Sequence, residues 1–391
     1  MNKLSATPEF EVLVVGGGPA GSTLARALTQ CGLNVAVLDK AQFPRQKICA
    51  GWVTPAVMEE LEIDLQNYAR GRTLQPINGF KTGQIGQALV QSNFPGEPVS
   101  YGIRRTEFDD FLLRRSGAEL LLGQSLKSLR RETDGWLVND RIRARLVVGA
   151  GGHFCPVARA IGARNTTETA VAAQEIEFEM SVTQKADCTV NGDVPELFFA
   201  PDLKGYGWVF RKGDYLNIGL GREDKHKLSG HVQRFCASLQ DQGKIPRNLP
   251  DKFRGHAYLL YHHATRQLVV DRSLLIGDSA GLAYPQSGEG IRPAVESALM
   301  AAQVILDCRG DYRREYLQPY VDRLEARYGR RQPTPGLAER LPAGIKQAIA
   351  RKLMKNQWFS RNILAARWFL HTQDEPLPPS SRLCHSESRP Y

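Results

Sequence analysis

Val14-Val15-Gly16-Gly17-Gly18-Pro19-Ala20-Gly21 is the stretch that decides how this chain folds. It fits G-x-G-x-x-G and lies between a short β-branched run, Val12 to Val15, and a helix expected from about Ala20 to Gln30. Glycines at those positions permit a tight turn and let backbone N–H groups approach a pyrophosphate at the positive end of the helix. Gly32 stops the helix, and Val35-Ala36-Val37-Leu38 makes the second strand of a βαβ unit. Asp39 ends that strand, where a carboxylate accepts hydrogen bonds from a ribose hydroxyl. A glycine-rich loop without a ligand is the competing reading, and the position of Asp39 weighs against it.

A second carboxylate stands at a strand end far along the chain, in Leu275-Ile276-Gly277-Asp278-Ser279-Ala280-Gly281. Pro285-Gln286-Ser287-Gly288-Glu289-Gly290 then leads into a helix expected from about Ile291 to Cys308. Taken together, the two turns resemble the flavoprotein monooxygenase and geranylgeranyl reductase superfamily. The resemblance implies FAD rather than NAD, with Asp278 on the ribityl chain and the loop of Pro285, Gly288, Gly290 and Ile291 against the isoalloxazine ring. Gly16, Gly18, Ala20, Gly21 and Asp39 complete the turn at the other end of the cofactor. An aspartate capping a helix would explain Asp278 alone but not a match at both ends of the chain.

Three further segments extend the resemblance. Val147 to Arg159 is similar to the family's Gly-Ala-Asp-Gly segment, but Gly151 stands where Asp is usual and Cys155 where Ser is usual. No carboxylate-dependent role, contacts to a nicotinamide donor included, is therefore carried over. Phe43-Pro44-Arg45-Gln46-Lys47-Ile48-Cys49-Ala50-Gly51 resembles the Pro-Arg-x-Lys-x-Cys-Gly-Gly stretch of geranylgeranyl reductases, which implies that Lys47 and Cys49 lie near the flavin. Cys49 has two readings, a thiol that tunes the flavin or donates a proton, and a small core residue. Tyr206-Gly207-Trp208-Val209-Phe210-Arg211-Lys212, followed by Gly219 and Gly221, is similar to the family's Tyr-x-Trp-x-Phe-Pro-Lys signature, with Arg211 in place of Pro. On a strand Tyr206, Trp208 and Phe210 share one face, a wall suited to an apolar substrate or an aromatic core face of the ordinary kind. Arg105 resembles a family arginine near the cofactor, and a solvated surface arginine is the alternative.

The expected architecture is α/β: a Rossmann-type, glutathione-reductase-like FAD-binding domain from 1–72, 101–168 and 267–310, and an inserted β-rich substrate domain from 73–100 and 169–266. A helical region over 311–375 and an irregular tail over 376–391 follow. No apolar run approaches the roughly 20 residues that a membrane span needs, and Met1 to Phe10 has no apolar stretch of the kind a secretory signal carries. Seven cysteines without a Cys-x-x-Cys pair are expected to be reduced thiols in the cytosol, holding no metal. The net charge of +10 comes from dispersed arginines without a nucleic-acid motif, so no nucleic-acid partner is expected. From Arg340 to His371 there are seven basic residues and no acidic one, with Ile345, Ile349 and Leu353 on one face and Trp358, Phe359, Trp368 and Phe369 beyond. Such a stretch is either a closing helix packed on the enzyme or a peripheral contact with anionic membrane.

The resemblance implies an oxidoreductase in which reduced FAD saturates isolated double bonds of a prenyl chain in a lipid or quinone. Cys49, Tyr206 and Trp208 are the expected catalytic residues. Only one dinucleotide fingerprint is present, so electrons come from an external donor such as NAD(P)H, a ferredoxin-like protein or a quinol. An aromatic hydroxylase, a halogenase and a purely electron-transferring flavoprotein are the competing readings.

Overall fold

A computed structural model of the chain describes residues 8–164, 168–224, 227–331 and 341–388. Arg340, in the basic stretch, lies outside the described residues. The β-branched run forms the strand Glu9–Val15 at the centre of a parallel sheet. Ile142–Gly149 pairs on one side and Val35–Asp39 on the other, followed outward by Ser273–Leu275 and Glu119–Leu122. Strands from distant parts of the sequence therefore lie in one sheet. Leu24 and Leu28 of the first helix, Pro19–Gln30, share a core with Val12 to Val15 and with Ala298, Ala302 and Ile305 of the helix Ile291–Asp307. Burial on both faces is what selects continuous Val/Leu runs rather than alternation.

A second sheet of seven strands is ordered Arg254–Tyr258, Val171–Glu179, Tyr215–Arg222, Gly205–Lys212, Glu196–Phe199, Gly79–Gln84, Val90–Asn93. All its pairings are antiparallel except that of Glu196–Phe199 with Gly79–Gln84. Period-two alternation gives the sheet two apolar faces. One packs on Val232, Phe235 and Leu239 of the helix Leu228–Asp241. The other, with Trp208 and Phe210, packs on Met354, Leu364, Ala365 and Phe369 near the C-terminus.

The C-terminal region is helical, with helices at Pro319–Tyr328 and Ala343–Leu353 and a wide-wound stretch at Ser360–Phe369. It is fastened by Arg292, which lies on the helix Ile291–Asp307 and is only 2% exposed. Its guanidinium donates to the backbone carbonyls of His371, Asp374 and Glu375 and to the Glu296 carboxylate. Among the described residues no helix is long and apolar enough to cross a membrane.

Two expectations need correction. The segment after Pro376 is not a loose tail: Leu377 N–H donates to Glu60, the Ser380 hydroxyl donates to Gln30, and Ser380–Ser388 winds into a short helical run. Nor are all the cysteines thiols. Cys31, at the end of the first helix, is bonded to Cys384 in the docked tail across 353 residues. A pairing so distant leaves no local spacing to read, which is why absence of a Cys-x-x-Cys pair did not reveal it. The denatured, unreduced protein should titrate with five thiols, those of Cys49, Cys155, Cys188, Cys236 and Cys308. Seven thiols before reduction would refute the bond.

Candidate active site

The glycine turn owes its sequence to contacts that no side chain could enter. Gly16 has φ +119°, and a Cβ there would lie 2.4 Å from the Ala150 carbonyl oxygen. A Cβ on Gly21 would lie 1.9 Å from the Gly16 carbonyl oxygen, so the helix can start only against a bare backbone. Gly17 N–H donates to Asp39 at 2.7 Å, and Ala41 N–H donates to the other carboxylate oxygen at 2.8 Å. Asp39 is thus fixed beside the turn with lone pairs to spare, since an ionised carboxylate has about four acceptor sites.

The distant turn meets this one directly. A Cβ on Gly277 would lie 3.0 Å from the Ala20 Cβ, which sets Asp278 beside the start of the first helix. Asp278 also faces Gly290, 3.1 Å from where a Cβ would stand, and His256, whose Nε2 is 3.6 Å away. Lys47 Nζ lies 2.8 Å from the same His256 nitrogen. Burial pushes Lys47 down to about 8, while the Asp278 carboxylate opposes the shift. Burial would raise Asp278, yet the His256 hydrogen bond and the Lys47 cation hold it below the usual carboxylate range. His256 is lowered by burial and by Lys47 and is neutral at pH 7.

The loop from Arg45 to Gly51 touches both the helix Arg105–Arg114 and the seven-stranded sheet. Arg45 bridges to Asp109 at 3.1 Å, and Arg105, buried rather than solvated, holds the same carboxylate through two hydrogen bonds of 2.7 and 2.8 Å. The Cys49 side chain is close enough to favour the charged form of the Arg105 guanidinium. From the other side, Cys49 N–H donates to Glu175 at 2.6 Å, and Asn217 donates to the Cys49 carbonyl at 3.2 Å. Asn217 accepts the Trp208 indole N–H at 2.8 Å, so the aromatic strand and the cysteine loop share one side chain. A buried indole N–H needs such a partner.

Tyr206, Trp208 and Phe210 do share a face, and Phe210 stacks on Trp52 with ring centroids 4.9 Å apart. Tyr206 stands at the edge nearest the glycine loop, where its hydroxyl donates to the Ser287 carbonyl. Gly219, on the neighbouring strand, makes room for this wall: a Cβ there would lie 2.2 Å from the Trp208 ring and 2.8 Å from the Glu175 Cβ. Gly219→Ala should therefore cost about 1–3 kcal/mol by overpacking, read as a lower melting temperature of the purified protein. An unchanged melt would show that Trp208 has another place to go.

Ile291 differs from its neighbours in the expected set. Its side chain is buried with Val295 and Leu299, and its N–H is donated to Glu289 at 2.6 Å. Pro285, Gly288 and Gly290 are half-buried on the loop before it, with Tyr258 against Gly288. Arg45, Glu175 and His256 are the site residues that the sequence did not single out. The residues fit FAD on one specific ground. Arg45 Nη1 is buried without a hydrogen-bond partner among the described residues, and its other terminal nitrogen lies 3.4 Å from where a Gly18 side chain would begin. An unsatisfied guanidinium beside a glycine turn is satisfied by a diphosphate. Bound there, FAD supplies hydride chemistry at its isoalloxazine ring, while the chain supplies orientation, exclusion of water and protons.

The comparisons with known proteins agree with this geometry. Residues 9–328 match the family described as FAD binding domain. The chain is 27% identical to digeranylgeranylglycerophospholipid reductase 3 of Methanosphaera stadtmanae, over 83% of this chain and 84% of that one. It is 29% identical to menaquinone reductase of Mycobacterium tuberculosis, over 84% and 82%. Among solved structures it is similar to a geranylgeranyl bacteriochlorophyll reductase-like protein of Thermoplasma acidophilum, at TM-score 0.78 and 21% identity, covering 96% of this chain and 98% of that one. A variant of the halogenase PltM solved in complex with FAD superposes at TM-score 0.65 and 16% identity, covering 96% and 94%. The chain belongs to the FAD-binding-domain family and is an FAD-dependent oxidoreductase of the geranylgeranyl reductase-like kind.

Proposed function

We propose that this enzyme reduces isolated C=C bonds in the prenyl chain of a lipid or quinone, with electrons passed through FAD from an external donor. The observation that carries the reading is the junction of the aromatic face with the 285–290 loop, where Tyr206 donates to Ser287 and Tyr258 lies on Gly288. The edge of this apolar face at the half-buried Tyr206, where it is not already packed on Met354, Leu364 and Phe369, suits a hydrocarbon chain, whose binding is driven by buried area at about 25 cal/mol per Å². The names of the relatives, two of them reductases of prenylated molecules, favour the same class over hydroxylation or halogenation.

In this reading Gly16, Gly18, Ala20, Gly21, Asp39 and Arg45 hold the adenosine and diphosphate portion, and Lys47, Asp278, Pro285, Gly288 and Gly290 the ribityl and isoalloxazine portion. Arg105 positions the loop of Cys49 and supplies a cation beside its thiol. Tyr206 and Trp208 border the substrate, and Cys49 donates the proton that completes the reduced bond. The test is anaerobic: FAD-loaded protein, reduced with dithionite, is mixed with a geranylgeranyl lipid and with menaquinone. One H2 gained per saturated bond, read by mass spectrometry, is the expected result. An oxygenated product formed only in air would replace the reading with a monooxygenase.

Peripheral contact with anionic membrane belongs to the same reading. Ile345, Ile349 and Leu353 are 49%, 44% and 40% exposed along one side of the helix Ala343–Leu353, and Trp358 is 66% exposed just after it. Arg351, Lys352, Lys355 and Arg361 are exposed around them. Basic residues near an anionic bilayer contribute about 1 kcal/mol each, so Lys352→Glu with Lys355→Glu should abolish flotation with phosphatidylglycerol vesicles. Equal flotation with phosphatidylcholine vesicles would contradict the electrostatic part.

A further inference from the structure

Glu175 is a buried carboxylic acid that none of the sequence motifs covers. Its side chain is 4% exposed on the strand Val171–Glu179, one oxygen accepts the Cys49 N–H, and the other oxygen is buried with no hydrogen-bond partner among the described residues. A carboxylate would not leave an oxygen bare in such a place, because burying a charge without partners is costly. A protonated acid can, since its O–H carries no net charge. Burial pushes Glu175 up to about 7, and the shift stands against the Cys49 N–H, the Lys212 cation and the Lys47 cation, all of which favour the charged form. Glu177 opposes ionisation with its own charge. On the flanking strands, Gly219 is uncharged, and Arg254, the register partner of Glu175, is exposed.

The acid is hydrogen-bonded to the residue whose thiol is the expected proton donor, and it packs beside Trp208 at Gly219. We propose that Glu175 is the proton reserve of the reduction, a positioning residue that holds Cys49 and re-protonates its sulfur. The proposal rests on the prenyl-reductase reading. The double bond's π pair forms one C–H bond with the Cys49 S–H proton, and the other carbon takes hydride from reduced FAD, which is thereby oxidised. Cys49 is left as a thiolate beside the Arg105 guanidinium. Water admitted as product leaves relays the Glu175 O–H proton to that sulfur, and solvent then restores the proton to the carboxylate. Every proton and electron pair is accounted for, with no further reductant than the reduced flavin.

The experiment uses the FAD-loaded protein and has two arms. In the first, infrared spectra are recorded across pH, and the wild-type titration is compared with that of Glu175→Gln. A carboxylic-acid carbonyl band that vanishes with a midpoint near neutrality, and is missing from the variant, is expected. In the second, multiple-turnover reduction of a geranylgeranyl lipid, with dithionite in excess to regenerate the reduced flavin, is followed against pH. Because the protonated acid is the active form, wild-type rates should fall as pH rises through about 7. Glu175→Gln should be slower by about 10²-fold with that limb flattened, the usual size of a general-acid contribution. Glu175→Asp, which keeps an acid, should restore a pH-dependent rate.

An unaltered pH profile in Glu175→Gln, or the absence of an infrared band that the variant removes, would overturn the proposal. So would loss of bound FAD in both variants, which would make Glu175 a structural support alone. If wild-type protein fails to reduce the lipid, the functional reading falls on that result, while the infrared arm still decides whether Glu175 carries a proton at neutral pH.

Discussion

Gly21→Val should be recovered without yellow colour and should melt far below the parent protein. The added Cβ would stand 1.9 Å from the Gly16 carbonyl oxygen and 3.1 Å from a Val14 methyl, both fixed by the central strand. Neither can retreat, because Val14 is fully buried and the Gly16 N–H is bound to the Leu38 carbonyl. The helix must move away from the turn instead, at a cost of about 3 kcal/mol or more, and its amides leave the place where a diphosphate would sit. Gly18→Ala separates fold from ligand. Its Cβ would meet only an Arg45 nitrogen at 3.4 Å, an ordinary contact, so this variant should melt near the parent temperature while holding FAD more weakly. Flavin absorbance after reconstitution and a thermal melt of each variant decide the matter. A yellow Gly21→Val of normal stability would mean that the turn is not the cradle.

Arg292→Met is expected to lose about 3–5 kcal/mol of stability, the range for breaking a buried ion pair from one side. The cation lies 2.8 Å from Glu296 and 3.8 Å from Glu60, and all three side chains are almost wholly buried. Its loss leaves two carboxyl groups facing each other and the Asp374 carbonyl without its donor, while the His371 and Glu375 carbonyls keep the Asp374 N–H and Arg327. Burial and the Glu296 carboxylate already hold Glu60 above the usual range. A carboxyl raised in this way binds more protons when folded than when unfolded, so its contribution is present at low pH and is lost as pH rises through the folded-state value. Without Arg292 that decline should be steeper. Urea unfolding at about pH 5 and about pH 8 should show the variant's deficit growing with pH. A deficit independent of pH would show that the loss comes from packing alone.

The two glycine turns were legible as turns because each is written in adjacent residues: glycines forced by steric contact and an aspartate at a strand end. Tyr206, Trp208 and Phe210 were legible for a similar reason, since the period of a strand puts them on one face. Glu175 and His256 were not. The partner of Glu175 lies 126 residues away and that of His256 lies 209 away. A single glutamate in an alternating strand looks like a solvent-facing position until Gly219 and Cys49 close over it. Arg45 sat in plain view within the resembling segment, but only its guanidinium beside Gly18, with Nη1 left unsatisfied, distinguishes it from Lys47. The docking of residues 377–384 was hidden by composition, for prolines and serines read as a tail wherever their backbone partners are distant.

The order of strands in the parallel sheet sets a schedule for biosynthesis. Glu9–Val15 leaves the ribosome long before Ser273–Leu275 and the helix Ile291–Asp307 that enclose its sheet. Until then the first βαβ unit has apolar surface uncovered, a state that attracts chaperones and aggregation. On the proposed cofactor contacts, the flavin is captured only after the second carboxylate turn has arrived, so loading follows the synthesis of both turns.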